Sequence, residues 1–463
     1  MEFNTEILKP VAEQLAAIFI EELDGAENML IRQVETGLRK YLQELGRMTM
    51  GMILSQADVA PERSLACECG GTLHYQRRRA AKVLSVFGWV EYERNYYAGC
   101  SCGRGKAPLD EQFGLEPGQV TSGLAALIAL AGVELAFDHG ARWMEQFLLF
   151  KVSENTVRKE TQGFGELQAT REETQMERSQ DAAYLQQRLR TETAAPKRLY
   201  GSLDGAHVRI EERNQRTEHP EHEGQNDKWR EMKLGCWYLV EPVPVSQQSK
   251  RHRKKEEIGH QALRAKEIHY FCDMMEADQF EPLFWATGCQ AQADLAQELV
   301  FVCDGAKWIW RLVETNYPNA VQIVDWHHAE ERLEKVAREA LTDEAAASWL
   351  EDTRTALWYG DTQFVISACE RLSSQSEEAR QAATYFRNNA HRMQYDRYRN
   401  QGYMIGSGTV ESGCKQVVTH RLKRSGAQWN SQGAVLTAKA RAAWLSGEWE
   451  QLCTSRDKLP IAI

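Results

Sequence analysis

The sequence predicts a multidomain α+β protein, and three observations carry that prediction. Apolar residues recur at helical spacing near both ends of the chain, whereas short β-type runs between turn residues fill two internal stretches. Four of the eleven cysteines gather as two Cys-x-Cys pairs, Cys67 with Cys69 and Cys100 with Cys102. Three acidic residues, Asp204, Asp304 and Glu411, stand in distinctive frames on strand-like and helical segments far apart in sequence. A chain of 463 residues has room for about two to four domains and at least one large core.

Taken in order, residues 1–60 form a helical region. Val11, Leu15, Ile18, Ile20 and Leu23, then Leu30, Ile31, Val34, Leu38 and Leu42, recur at helical spacing. They suit either an oligomerisation element or helices packed on the rest of the chain. Residues 61–115 change character: Lys82–Phe87 and Trp89–Tyr97 are β-type, with Gly88 as a hairpin turn between the cysteine pairs. Residues 116–197 turn helical again, through 124–131, 141–148 and 152–160, and end in a polar helical linker from 166 to 196.

An α/β pattern occupies 198–330. Strands are expected at 198–204, 206–212, 233–241, 267–273, 299–304 and 320–325, and helices at 279–298 and 307–316. Residues 331–400 carry no strand signal and read as an all-helical insertion. Helices at 409–424 and 431–447 dominate 401–450, and 451–463 is a tail. No internal repeat is found.

Bulk charge bounds the partners. A formal net charge of −10 argues against a protein that simply coats DNA, because nucleic-acid binders carry a basic footprint. The charge is uneven, however, with Lys and Arg crowding 76–94, 250–255 and 415–441. Solvated faces account for most such runs; the sharper reading is a locally basic DNA track on an acidic body. No apolar run approaches the roughly 18 residues of a membrane span, and the N-terminus lacks a basic-then-apolar leader, so a soluble cytosolic protein without membrane contact is expected. The seven remaining cysteines lie among apolar residues, as reduced core cysteines do. With no Gly-x-x-x-x-Gly-Lys-Ser/Thr loop, no nucleotide cofactor is expected.

The Cys pairs, each followed by Gly, suit a tetrahedral Zn2+ that staples a zinc-ribbon-like segment too small to hold itself together. The knuckles have one residue between cysteines rather than the usual two, which leaves unligated thiols as the alternative and His74 as another ligand. Ser153 begins a segment that can cap and open a recognition helix after helix 141–148, with Ser153, Asn155, Thr156, Arg158 and Lys159 facing DNA. An ordinary helix pair fits the same pattern.

Alone, an Asp-Gly after a strand is a turn. Together, Asp204 and Asp304 at strand ends and Glu411 at a helix start offer the hard oxygen ligands that a pair of Mg2+ or Mn2+ ions needs for phosphoryl transfer. Asp325, which also ends a strand-like run, competes with Asp304 for the second position, and His327 or His328 stand beside it as supports or as core and capping residues. Past Glu411, Lys415, Arg421, Lys423 and Arg424 form a face suited to phosphates. Trp429 and Trp444 suit core positions better than base stacking.

Four frames carry a family resemblance: Leu203-Asp204-Gly205, Trp229–Gly235, Cys303–Ile309 and Gly406–Glu411. Val418–Trp429 and Cys102–Asp110 carry it further. Over roughly residues 61–445 the chain resembles bacterial insertion-sequence transposases of the DDE class, of the Kra-type family, distantly similar to Mutator-like transposases. The resemblance implies a ribonuclease-H-like α/β catalytic domain with an all-helical insertion, preceded by the zinc-ribbon-like segment and a helical DNA-binding region. It implies that Asp204, Asp304 and Glu411 bind the metal ions and that the partner is double-stranded DNA, as element ends and as target. A homo-oligomer on DNA and a bacterial cytoplasmic location at the nucleoid are expected with it. The acidic balance is unusual for such a protein.

Overall fold

The computed structural model describes residues 30–58, 61–191, 195–211, 228–248 and 262–457, with 9, 10, 12–14, 16, 17 and 20. The N-terminal positions Val11, Leu15, Ile18 and Leu23 and the basic cluster 250–255 lie outside the described residues. The chain is a mixed α+β protein of two compact units, residues 1–167 with 450–463, and residues 168–449. Among the described residues no helix is long and apolar enough to cross a membrane.

In the first unit a long helix, α1 (Ile31–Ala57), precedes a three-stranded antiparallel sheet of β1 (Ser64–Ala66), β2 (Thr72–Ser85) and β3 (Gly88–Ala98). Gly88, at φ +94, closes the tight β2–β3 hairpin where the sequence placed it. β2 starts ten residues earlier than expected, because Arg77, Arg78 and Arg79 continue the ladder against Tyr96, Asn95 and Arg94. Alternation along β3 buries Val90 and Tyr92 against Leu54 and Ala57 of α1 and Leu109 of α2 (Pro108–Phe113). Tyr92 Oη donates to Asp110 at 2.7 Å, and Arg94 pairs with the same buried carboxylate. A second core joins α3 (Ser122–Glu134), α4 (Phe137–Leu148) and the start of α5 (Glu154–Gln180) through Leu124, Ile128, Met144 and Val157.

After helix α6 (Ala182–Thr191), the second unit is built on a five-stranded sheet. Its strands are β4 (Arg198–Arg209), β5 (Trp229–Pro242), β6 (Leu263–Asp273), β7 (Glu298–Cys303) and β8 (Val321–Val324), ordered β6-β5-β4-β7-β8. The first three pair antiparallel, whereas β7 and β8 run parallel to β4. The parallel strands are joined through α7 (Ala277–Gln290) and α8 (Lys307–Asn316), as parallel pairing requires. Trp237 centres the core, stacked on Phe271 and Phe284 and edge-on to Phe301 and Tyr317. A Cβ at Gly201 would lie 2.4 Å from the Phe301 ring, so only glycine fits beneath that cluster.

Two expected strands, 198–204 and 206–212, are one: β4 runs unbroken to Arg209, and Glu212 lies outside the described residues. Gly205 does not turn the chain but pairs with Lys233 in the ladder, leaving space that the Glu231 side chain fills. Asp204 is therefore inside a strand rather than at its end.

After β8 the chain is helical as expected: α9 (Trp326–Ala340), α10 (Asp343–Trp358), α11 (Thr362–Leu372), α12 (Glu377–Asn389) and α13 (Tyr395–Asn400). Asp325, Asp361 and Ser376 cap three of these helices by accepting the N3 backbone N–H. α14 (Gly408–Gly413) passes through a π-helical stretch, Cys414–Thr419, before α15 (Ser431–Leu445), and α16 (Trp449–Asp457) follows. Inside this unit Lys439 of α15 sits between Glu172 and Asp273, 2.8 Å from the latter. Burial works to discharge the ammonium, but the two carboxylates outweigh it and hold the Lys439 pKa above its ordinary value.

Candidate functional site

The two strand-borne acids meet through register. β4 and β7 pair in parallel with Gly201 opposite Phe301. Three residues further along, Asp204 lies within β4 and Asp304 is the first residue beyond β7. One residue before each acid, the Leu203 N–H donates to Cys303 Sγ at 3.3 Å. Gly205 N–H donates to Asp204 Oδ1 at 2.7 Å, and Ala306 N–H to Asp304 Oδ1 at 2.9 Å.

Burial pushes both carboxyls above the usual range. For Asp204 the Gly205 N–H opposes the shift and the negative charge of Asp304 adds to it. For Asp304 the Ala306 N–H and the cations of His328 and Arg332 oppose it, and Asp325 adds. The Cys414 thiol, on the stretch after Glu411, also reaches the Asp204 carboxylate.

Glu411 sits in the first turn of α14, where Ser407 Oγ donates to its Oε1 at 3.0 Å. His328, on the first turn of α9, lies between the acids: its Nδ1 is 3.2 Å from Asp325 Oδ1 and 4.0 Å from Glu411 Oε1. The bond to Asp325 raises the imidazole most, burial opposes it, and the charges of Asp325, Asp304 and Glu411 add; His328 is pushed up to about 9. Asp325, His328 and Glu411 bring ligand atoms within 4.8 Å of one another. The tight cluster thus joins Glu411 to Asp325 and His328, while Asp204 and Asp304 adjoin it through the charge of His328.

Asp325 has another task. It is fully buried, its Oδ1 accepts the His328 N–H at 2.7 Å, and its Oδ2 accepts the Ser407 N–H. Burial favours its neutral form, yet the bonds from His328 and Ser407 outweigh it and hold the carboxyl below the usual range. Both oxygens accept protein N–H groups, and Asp325 still lies with His328 and Glu411 in a group whose atoms are close enough to hold a metal ion, so it positions Ser407 without being excluded as a ligand. His327 is exposed and lies 3.6 Å from Glu330. The residue spacing already contained the signal for the rest: His328 and Arg332 are four apart on α9, so one helix face carries both towards Asp304.

In the first unit, the four expected thiols come together. Cys69 Sγ is 3.4 Å from Cys67 and 3.3 Å from Cys100, and Cys67 is 3.6 Å from Cys102. Zinc–sulfur bonds of about 2.3 Å in a tetrahedron put sulfurs about 3.8 Å apart, close to these separations. The cluster can therefore hold a metal ion such as zinc. Two matching knuckles supply it, in which Gly70 N–H donates to the Cys67 carbonyl at 2.9 Å and Gly103 N–H to the Cys100 carbonyl at 3.0 Å. The Cys102 backbone N–H, then the Cys69 and Cys102 sulfurs, lower the Cys100 thiol to about 6. His74 is paired into β2 and is not among the clustered ligand atoms.

The expected DNA-facing residues divide. Ser153 caps α5, its Oγ accepting the Thr156 N–H at 3.1 Å, and Thr156 Oγ1 lies 2.8 Å from the same oxygen. Asn155, Arg158 and Lys159 are exposed on the first two turns of α5, with Arg158 bonded to Asn155 at 3.1 Å and Lys159 to Gln119 at 3.0 Å. Lys415 and Lys423 are exposed and Arg424 is half-buried. Arg421 does not join them: it is 2% exposed, with its guanidinium 5.0 Å from the Trp429 ring centre. Burial, with Arg424 and Arg441 nearby, lowers it to about 9. The helical period carries position 421 inward, so Arg421 builds the core instead of gripping phosphate. Trp429 is buried beneath it, and Trp444 is partly exposed.

No protein-family model matches the chain, and no curated protein matches it significantly.

Proposed function

We propose that residues 168–449 form a ribonuclease-H-like catalytic unit and that the chain is a DDE transposase of the insertion-sequence kind. The observation that carries this reading is the convergence of Asp204, Asp304 and Glu411 around His328 from a strand interior, a neighbouring strand end and a distant helix. The sheet supports it. With the strands of that unit counted along the chain, the order is third, second, first, fourth, fifth, with the first three antiparallel and the last two parallel to the first. The helices between β8 and α14 stand where an all-helical insertion belongs.

In this reading the three acids would hold two divalent cations, which would activate the attacking oxygen and stabilise the leaving one. Asp204 and Asp304 are fixed by backbone N–H groups, and Glu411 is oriented by Ser407, so the carboxylates meet DNA already positioned. Before cations bind, the imidazolium of His328 balances part of the carboxylates' negative charge. Water attack frees a 3′-hydroxyl at an element end, and the same in-line displacement joins that hydroxyl to target DNA. The first unit, with its cysteine centre and the exposed start of α5, recognises the element ends. Two ends must be held together, which calls for a homo-oligomer on DNA.

The test is cleavage and strand joining on DNA carrying the flanking ends of its own locus, with Mg2+ or Mn2+. The reading expects cutting at the ends by the wild type and none by Asp204→Asn. Sequence-specific binding without cutting in either metal would replace it with a non-catalytic DNA-binding regulator.

A further inference from the structure

A groove of about 780 Å3 opens beside Asp304, between α8, α9 and α12. Five cations line it: Lys307, Arg311, Arg332, Arg380 and Arg392. Its acids are two, Glu314 and Glu377, in a chain that is acidic overall. Arg311, Arg380 and Arg392 each have a carboxylate partner, Asp278, Glu377 and Glu314 respectively. Among the described residues Lys307 and Arg332 have none. Lys307 is exposed, and the guanidinium of Arg332 lies 4.1 Å from the Tyr385 ring centre while its charge acts on Asp304.

The groove borders the acid cluster at Gly305. Gly305, next to Asp304, forms part of its wall, and a Cβ there would sit 2.0 Å from Tyr385 Cε2. Glycine at this position lets the Tyr385 ring close over the residue beside the acid, so the cationic walls begin where the carboxylates end. A ligand crossing from one to the other needs anionic charge repeated along its length. A nucleic-acid strand has that property, with a phosphate at every nucleotide.

We propose that this groove binds the phosphodiester backbone of the strand that passes Asp304, with Lys307 and Arg332 as its phosphate contacts. The inference rests on the catalytic reading above and extends it to the helical insertion, which then serves as one wall of the DNA channel through α12.

The experiment is fluorescence anisotropy with a labelled duplex carrying the locus ends, without divalent cation so that no cutting intervenes, over about 0.05 to 0.3 M salt. On duplex DNA one phosphate contact contributes about 0.9 to the slope of log K against log salt, which is about an eightfold change in affinity at 0.1 M. Lys307→Glu and Arg332→Gln are each expected to weaken binding by about that factor or more and to lower the slope by about 0.9. Lys266→Glu, on the edge strand β6 at the other side of the sheet, should leave both unchanged. Lys307 is exposed, so its substitution tests the groove without disturbing the core. Tight wild-type binding with an unchanged slope in both groove variants overturns the groove alone, as does an equal loss in Lys266→Glu. A wild type that binds no DNA overturns the catalytic reading and the groove together.

Discussion

Asp325 and Ser407 lie 82 residues apart and meet through the Ser407 N–H, which donates to Asp325 Oδ2. The same serine donates its hydroxyl to Glu411, so the end of β8 fixes the helix that carries the third acid. Asp325→Ala removes a helix cap and leaves a buried amide without its acceptor. The expected cost is about 2–4 kcal/mol of stability in urea denaturation, from the cap and the orphaned N–H together. Asp325→Asn, which keeps one acceptor oxygen, should lose less. Equal stability of Asp325→Ala and wild type would show that the bond does not hold these elements together.

The acids themselves should behave differently from their support. Asp204→Asn, Asp304→Asn and Glu411→Gln keep the side-chain shape and remove a charged oxygen ligand. Each is expected to lower metal-dependent cleavage by about a thousandfold or more, several kcal/mol of barrier, while DNA affinity stays near that of the wild type. Asp325→Asn should retain more cleavage than any of them. If Asp304→Asn cuts normally and Asp325→Asn does not, the second ligand is Asp325.

Much of this arrangement was legible in the sequence, and the exceptions have physical causes. Strand ends near Cys303 and Val324 follow from apolar runs that a buried parallel strand requires. The thiol cluster follows from two knuckles with glycine after each pair. The Asp204-Gly205 step misleads, because a glycine that signals a turn by local propensity here serves a cross-strand contact with Glu231. Sequence shows Asp325 as a carboxylate after a strand but not the His328 and Ser407 N–H groups that its oxygens accept. Arg421 reads as part of a basic face because charge is visible in sequence, whereas the inward direction of the short helix His420–Leu422 after the π-helical stretch is not.

At the cysteine centre the expected result is one zinc per chain by elemental analysis. Cys100→Ser and Cys67→Ser should each lower zinc retention at least about tenfold, and chelation should lower the thermal midpoint of wild type. Because all four ligands must be thiolates, zinc affinity should fall progressively on acidification. Zinc content that is the same in wild type and Cys100→Ser would exclude these thiols as the site.

Glu448 offers an acid-side test within the second unit. It is 9% exposed, and its carboxylate lies 2.7 Å from Arg171 and 3.1 Å from His269 Nδ1. Burial alone would raise its pKa, but the bonds from His269 and Arg171 hold it below the ordinary value. A depressed carboxylate contributes stability that is present above its unfolded value, about 4.3, and is lost as pH falls through the folded one. Glu448→Gln should cost about 1.5–3 kcal/mol at pH 7 in urea unfolding, and the gap from wild type should narrow on acidification. A gap that is constant with pH would mean that the charge of Glu448 contributes nothing.

His328 gives the opposite sign. Its folded pKa is raised to about 9. Against an unfolded value of about 6.5, its stabilising contribution is complete below that pH and is lost as pH rises through the folded value. In metal-free protein the urea midpoint should therefore decline on the alkaline side, and His328→Gln should flatten that decline. A divalent cation among the same carboxylates competes with the imidazolium for their charge, so saturating Mg2+ should lower the His328 pKa measured by NMR. A decline that persists unchanged in His328→Gln would remove the imidazolium from the cluster. A His328 pKa indifferent to Mg2+ and Mn2+ would mean that the acids around it hold no cation.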